Sequence, residues 1–406
     1  MAPTLRTLTL ARTNGSAPRL CCNAGYRCLA LWACREECAF RCCVVSWLGF
    51  LVGSGVFGTV HEVSPELLER IAELALFSVL FTDGTKTGGI QQIRRFWRLP
   101  SRALLIGMPL TIAGIAILAH YMTGLDWAHA FLLGSALSPT DPVFVSAIFR
   151  FEGVPERIKR LLNIESGLND GLALPPVMLL LAYTGVRGLG AASMIEELAL
   201  GVAIGFVVPL IGIHLEKTRL FHAAGLFHPL NAFALGLLVL AICYLTGANL
   251  FLAAFGAGIS VATFGPSFTE SFREFGELVT ELLKLGALLL FGAVIAPTFF
   301  TALPGAQYAF IALAVFAVRP LAVWLSLFRA GLPPQESLLA GWFGPKGFAS
   351  VVYGLLIYQG GLTHMGHLIG LAVAASIVVY SSTDILVGSW FKKRYPDANL
   401  QSQGPE

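Results

Sequence analysis

The sequence predicts an all-α polytopic membrane protein of about twelve transmembrane helices, organised as inverted repeats around two broken helices. Three observations carry this. Of the 406 residues, 56% are hydrophobic and 13% charged, against roughly 25% charged in a soluble domain. Apolar runs of spanning length follow one another with short connections, so no soluble domain fits between them. Basic residues then alternate loop by loop, as cytoplasmic and external loops do.

Residues 1–43 stand apart from that pattern. Seven of the eight Cys fall between Cys21 and Cys43, and Cys34, Cys38 and Cys42 would stripe one helix face. No His accompanies them and no zinc spacing occurs, which disfavours a metal site. The segment is rich in Arg, poor in acid before Glu36, and similar in composition to a targeting peptide. It reads as an irregular or misassigned amino terminus, outside a transmembrane domain of residues 44–394.

The apolar segments lie at 44–60, 66–84, 103–120, 128–149, 158–184, 191–214, 229–246, 249–264, 274–296, 306–328, 336–358 and 366–388. The first is short for a span. Lys86, Arg94, Arg95, Arg98 and Arg102 follow the second, whereas the next loop, around Gly124, has no Lys or Arg. Arg150, Arg157, Lys159 and Arg160 follow the fourth, and only Arg187 follows the fifth. Lys217 and Arg219 follow the sixth, Arg273 the eighth and Arg329 the tenth, while the loops after the seventh, ninth and eleventh have none. Lys392, Lys393 and Arg394 close the last span. The alternation places the carboxyl terminus, with a short polar tail at 395–406, in the cytoplasm.

Two spans contain their own interruption. The fourth carries Ser138-Pro139-Thr140-Asp141-Pro142 and the eleventh Gly341-Trp342-Phe343-Gly344-Pro345-Lys346-Gly347. Proline removes a backbone donor and clashes with the preceding turn. Unwound backbone at membrane depth survives only where it is buried or lines a cavity. The breaks are seven spans apart and so have opposite orientation, the pattern of an inverted-repeat transporter with a midplane site.

The chemistry concentrates in Asn163-Ile164-Glu165-Ser166-Gly167-Leu168-Asn169-Asp170-Gly171. A charge at bilayer depth costs about 2.5–3.5 kcal/mol on insertion scales, which marks a functional site. Glu165 and Asn169 share one helix face, and Ser166 and Asp170 share the next. Ser with Asp offers hard oxygen ligands to a small cation, and Asp170 is the candidate to bind proton and cation in alternation. Glu165, on the other face, needs a cation, and Arg319, deep in the tenth span before Pro320, matches it. Asp141 and Lys346 offset half-helix ends at the breaks. Lys346 is read as structural, and Thr140 with Asp141 as lining the site. Asp83 is a cation ligand, an entrance residue or a snorkelling interfacial side chain. Glu277, Glu281 and Lys284 read as charges paired along their own helix. The eight His lie at span ends or in loops and receive no role.

Thr140-Asp141-Pro142, Glu165-Ser166 through Asn169-Asp170, Arg319-Pro320 and Gly344-Pro345-Lys346-Gly347 occur in that order on those spans. Over roughly residues 46–394 the chain resembles the Na⁺/H⁺ exchanger family, in the bacterial branch of electroneutral cation/proton antiporters. The resemblance implies a homodimer, each protomer with a dimerisation domain and a mobile six-helix core in which the broken helices cross. It implies cation ligation by Asp170, Ser166 and the Thr140 backbone, an acidic contribution from Asp83, and a Glu165–Arg319 pair. Asn169 stands where the electrogenic branch carries a second Asp. Lys346 occupies a position that is often Arg, the Cys-rich segment stands where an apolar first span usually lies, and the long regulatory tail of animal exchangers is absent.

The expected function is therefore one-for-one exchange of Na⁺, Li⁺ or K⁺ for H⁺ across a bacterial inner membrane. The alternatives are a cation channel and a transport-inactive truncated relative. The expected partners are monovalent cations, protons and lipid, with no cofactor. The basic residues sit in short loops between apolar spans, which excludes nucleic-acid binding. No Ser/His or metal-ligand pair shares a span at a suitable spacing for an intramembrane enzyme.

Overall fold

The computed structural model describes residues 65–141, 154–185, 191–216, 228–295 and 303–394, with isolated helical positions at 45, 48, 49 and 51. The Cys-rich amino terminus, most of the first expected span, the second half of the fourth and the tail at 395–406 lie outside them. The described residues form helices joined by turns, with no strand among them. In chain order they are α1 (Pro65–Lys86), α2 (Gly89–Phe96), α3 (Arg98–Thr123), α4 (Trp127–Ala136), α5 (Glu156–Tyr183), α6 (Ala191–Glu216) and α7 (His228–Thr246). There follow α8 (Leu250–Phe264), α9 (Pro266–Ile295), α10 (Gly305–Leu327), α11 (Pro334–Trp342), α12 (Phe348–Gln359) and α13 (Thr363–Arg394).

Among the described residues four stretches, Arg98–Thr123, Ala192–Glu216, Gly305–Leu327 and Thr363–Tyr380, are long and apolar enough to cross a membrane. α1, α5 and α9 have comparable length but carry charged residues along it. α9 begins at Pro266, eight residues before the expected 274. Glu270, Arg273 and Glu277 fall on its first turns, where hydropathy drops but the helix does not end. α2 lay hidden from the sequence reading because eight residues make no apolar run. It is amphipathic: Ile93 and Phe96 pack against the core and Arg94 and Arg95 are exposed. Asp126 starts α4 by accepting from the backbone N–H of Ala128. Burial acts against its ionisation, but hydrogen bonding and charge from His129 outweigh that and hold it below the usual carboxylate range.

The helices form two bundles. In the first, α1 packs on α8 and α9, α8 on α6, and α7 on α6, α8 and α9. In the second, α3 packs on α4 and α10, α4 on α5 and α12, α10 on α11 and α13, and α12 on α13. α5 and α12 face the first bundle, touching α1, and α5 also meets α6 and α8. Gly167 lies against Thr87 and the Asp83 carbonyl, and Gly171 against the Phe255 ring. A bidentate pair, exposed Arg157 with buried Glu336 at 2.8 and 2.6 Å, ties the start of α5 to α11 within the second bundle.

One local motif recurs in the backbone of two helices. α3 contains a π-helical turn at Ala103–Gly107 and α10 another at Ala314–Val318. Each is followed by a residue and then Pro, Met108-Pro109 in one and Arg319-Pro320 in the other. Proline has no N–H for its α-helical acceptor, and a wider turn absorbs the gap. The Tyr380 hydroxyl donates to the carbonyl of Val315 inside the second turn at 3.1 Å. The two helices correspond to the third and tenth expected spans, again seven apart.

The breaks fall between Ala136 and the end of the described segment at Asp141, and between Trp342 and Phe348. They touch. The Asp141 N–H donates to the Pro345 carbonyl at 3.1 Å, and a Cβ on Gly347 would stand 2.3 Å from the Asp141 Cβ and 3.1 Å from its Cα. The obstruction includes backbone of the opposite break, so it cannot swing aside as a side chain tip would. Gly347→Ala is expected to cost about 1–3 kcal/mol, as overpacking does, and to lower the melting temperature in detergent. Gly286→Ala, on α9 with open space around its Cβ, is the control and does not lower it, since Ala is the better helix former. Equal melting of the two variants would show that the breaks can part without cost.

Candidate functional site

α5 delivers four buried polar side chains to the crossing: Glu165, Ser166, Asn169 and Asp170, each no more than 6% exposed. Its Pro175 and Pro176 have no N–H to give the carbonyls of Gly171 and Leu172, so polar backbone is released just beyond Asp170. Ser166 Oγ donates to the Thr140 carbonyl at 3.2 Å. Asn169 Nδ2 donates to Thr140 Oγ1 at 2.5 Å and to the same carbonyl at 3.4 Å. The Asn169 amide is thus engaged by Thr140. The Thr140 carbonyl thus gathers two donors, and a cation ligated there would displace one of them.

Asp170 is held through its backbone, whose carbonyl accepts from the buried Tyr353 hydroxyl of α12 at 3.0 Å. The charges that act on its carboxylate are Asp83, Asp141 and Lys284. The crossing therefore brings three expected site carboxylates within electrostatic reach of each other. Asp83 sits in the last turn of α1, 6% exposed, with Lys86 Nζ at 3.9 Å. Its burial removes the snorkelling reading, which needs the carboxylate in water. Above it, the hydroxyls of Ser78 and Thr82 meet Thr280 Oγ1 at 2.7 and 2.8 Å and line the α1–α9 seam.

Asp141 does meet a half-helix amino end, accepting from the Phe348 N–H at 3.4 Å. Its main partner is one the sequence reading missed: Lys284 Nζ donates to Asp141 Oδ2 at 2.9 Å, with both side chains buried. The expectation that Glu277, Glu281 and Lys284 pair along α9 is corrected. Lys284 reaches across to the second bundle, and Glu277 pairs with Lys86 at 3.6 Å. The overlooked signal was depth: Lys284 lies two turns inside Glu277, where an ammonium needs a buried anion.

Glu165 and Arg319 form the expected pair at 3.0 Å, each side chain 5% exposed. Arg319 also donates to the Phe343 carbonyl, at the end of half-helix α11, at 3.4 Å. It passes so close to the break that a Cβ on Gly344 would fall 1.6 Å from its Nε. The half-helix end expected for Lys346 is thus served by Arg319. Lys346 is 1% exposed; its backbone N–H donates to Ser376 Oγ at 2.7 Å, and the charges acting on its ammonium are Arg319 and Glu165. Glu165 Oε2, Arg319 Nε and Lys346 Nζ have no hydrogen-bond partner among the described residues. The arrangement is one carboxylate facing two cations, set apart from the face that carries Asp170. Among the described residues no cluster of three His, Cys, Asp or Glu could hold a resident metal ion.

Comparison with known proteins bears on the whole arrangement. A family described as "Sodium/hydrogen exchanger, transmembrane" matches residues 41–393. The chain is 25% identical over 369 residues to the K(+)/H(+) antiporter NhaP of Alkalimonas amylolytica, covering 88% of this chain and 63% of that protein. It is 30% identical over 152 residues to the low-affinity Na(+)/H(+) antiporter NhaS1 of Synechocystis, covering 36% of this chain and 28% of the other. The chain thus spans less than two thirds of the length of these relatives. The sodium proton antiporter MjNhaP1 of Methanocaldococcus jannaschii has a similar fold, with TM-score 0.69 at 16% identity over 89% of this chain and 96% of that one.

Proposed function

The chain belongs to the sodium/hydrogen exchanger family, and from that premise we propose that it exchanges a monovalent cation for H⁺ by alternating access, one for one. The observation that carries the reading is the position of Asp170: buried on α5, beside two touching helix breaks, at the seam between the bundles. In one state its carboxylate ligates Na⁺, Li⁺ or K⁺ with Ser166 Oγ and the Thr140 carbonyl. In the other it carries a proton and the second bundle crosses the membrane without a cation. Asp83 and Asp141 add negative potential along the approach. Asn169 binds Thr140 and cannot carry a proton through the cycle, so the site exchanges a single charge for a single charge. The protein works as a homodimer in the bacterial inner membrane, with its carboxyl terminus in the cytoplasm. The family gives no support to the channel reading.

The experiment is exchange in everted vesicles, with Na⁺, Li⁺ and K⁺ compared across pH. Cation addition is expected to dissipate a preformed proton gradient at any imposed potential, although moving one charge across 100 mV is worth about 2.3 kcal/mol. Reconstituted protein on a solid-supported membrane gives no steady current on a cation jump. A sustained current abolished by Asp170→Asn would overturn the one-for-one stoichiometry, and silence in both assays would establish an inactive relative.

A further inference from the structure

Lys284 has no place in the exchange just described, yet it stands inside the site. It lies seven residues beyond Glu277 on α9, about 10 Å deeper along the axis at 1.5 Å per residue. Its side chain is 4% exposed and that of Asp141 7%. The bond between them, at 2.9 Å, joins α9 of the first bundle to the break in the second. The same ammonium acts on Asp83 and on Asp170. One tethered monovalent cation is therefore bonded to one carboxylate at the seam and within electrostatic reach of two more.

We propose that Lys284 is a built-in competitor of the transported cation, occupying Asp141 directly and opposing cation binding at Asp170 through its field, and so setting the apparent cation affinity. The inference rests on Asp170 being the cation ligand. An ammonium and an alkali cation carry the same charge and seek the same carboxylate oxygens. The ammonium is covalently held beside them, so its effective concentration is high whatever the salt outside. A cation arriving at Asp170 either binds against that charge or forces Lys284 off Asp141. Both routes weaken binding, and a transport site must release what it binds. Because the partners belong to different bundles, relative movement of the bundles has to part them, and the competition changes with the state of the transporter.

The test titrates Na⁺, Li⁺ and K⁺ against the melting temperature of the purified full chain in detergent, beside exchange KM in vesicles. Lys284→Met is expected to lower the cation midpoint and KM roughly tenfold, the size of a typical coupling between sites. Asp141→Asn leaves the ammonium without its bonded carboxylate and is expected to raise both. The double variant returns both close to wild type, and Lys284→Arg, which keeps the charge, stays there. A merely structural pair would lower melting in both single variants without moving the midpoints in opposite directions; that result, or an unchanged midpoint in Lys284→Met, overturns the proposal. Should Lys284→Met not fold, Lys284→Gln takes its place, and an unchanged midpoint again means no competition. The binding titration does not depend on transport, so a wild type that binds cations but does not exchange them defeats the proposed function and leaves this test standing.

Discussion

Asp170→Asn abolishes exchange with every cation while the protein inserts, folds and melts at or above the wild-type temperature. The substitution keeps the shape of the side chain and the Tyr353 bond, because that bond is made to the Asp170 backbone carbonyl. What it removes is the charge of a carboxylate buried on α5 one turn from Ser166, together with the site of the exchangeable proton. An amide neither neutralises an alkali cation nor takes up a proton near neutral pH. Stability moves the other way, since an ionised carboxylate buried to 4% exposure carries a desolvation cost that an amide avoids. The expected pair of results is therefore exchange at the level of empty vesicles and an undiminished melting temperature. Wild-type exchange in this variant would sink the assignment and move the carrier role to Asp83 or Asp141.

Glu165→Gln and Arg319→Gln are expected to show the opposite profile, with a large loss of stability. Removing one partner of a buried ion pair costs about 3–5 kcal/mol, because the remaining charge is left without compensation. The neighbouring Lys346 makes the two losses unequal. In Glu165→Gln, Arg319 and Lys346 remain as two buried cations with no carboxylate between them. In Arg319→Gln, Glu165 keeps Lys346. The loss in Glu165→Gln belongs at the upper end of that range and the loss in Arg319→Gln at the lower end or beneath it. The double variant recovers part of the Glu165→Gln loss. Melting temperatures in detergent across the four proteins give the coupling. Additive losses would mean the two groups do not interact, and equal single losses would mean that Lys346 takes no part.

Much of this molecule is legible in the sequence, for reasons tied to particular residues. A span is a local property of an apolar run, so the expected 66–84, 158–184, 229–246 and 249–264 return as Pro65–Lys86, Glu156–Tyr183, His228–Thr246 and Leu250–Phe264. The breaks are legible because Pro139 and Pro345 act on their own backbone wherever they stand. The Glu165–Arg319 pair is legible because a permanent charge at membrane depth must find its opposite, and few such residues exist to choose from. Other features were decided by tertiary structure alone. The sequence offers Lys284 a Glu three positions back at every glance, since helical spacing always supplies local partners. Packing instead brings Asp141 to it from 143 residues away, with both side chains sealed from water. Packing in the same way gave Asn169 its partner Thr140, and made Arg319 rather than Lys346 the donor to the end of α11. Hydropathy and backbone chemistry act along the chain and are written in it. A desolvated charge takes whichever partner the fold places beside it, and that choice exists only once the helices have packed.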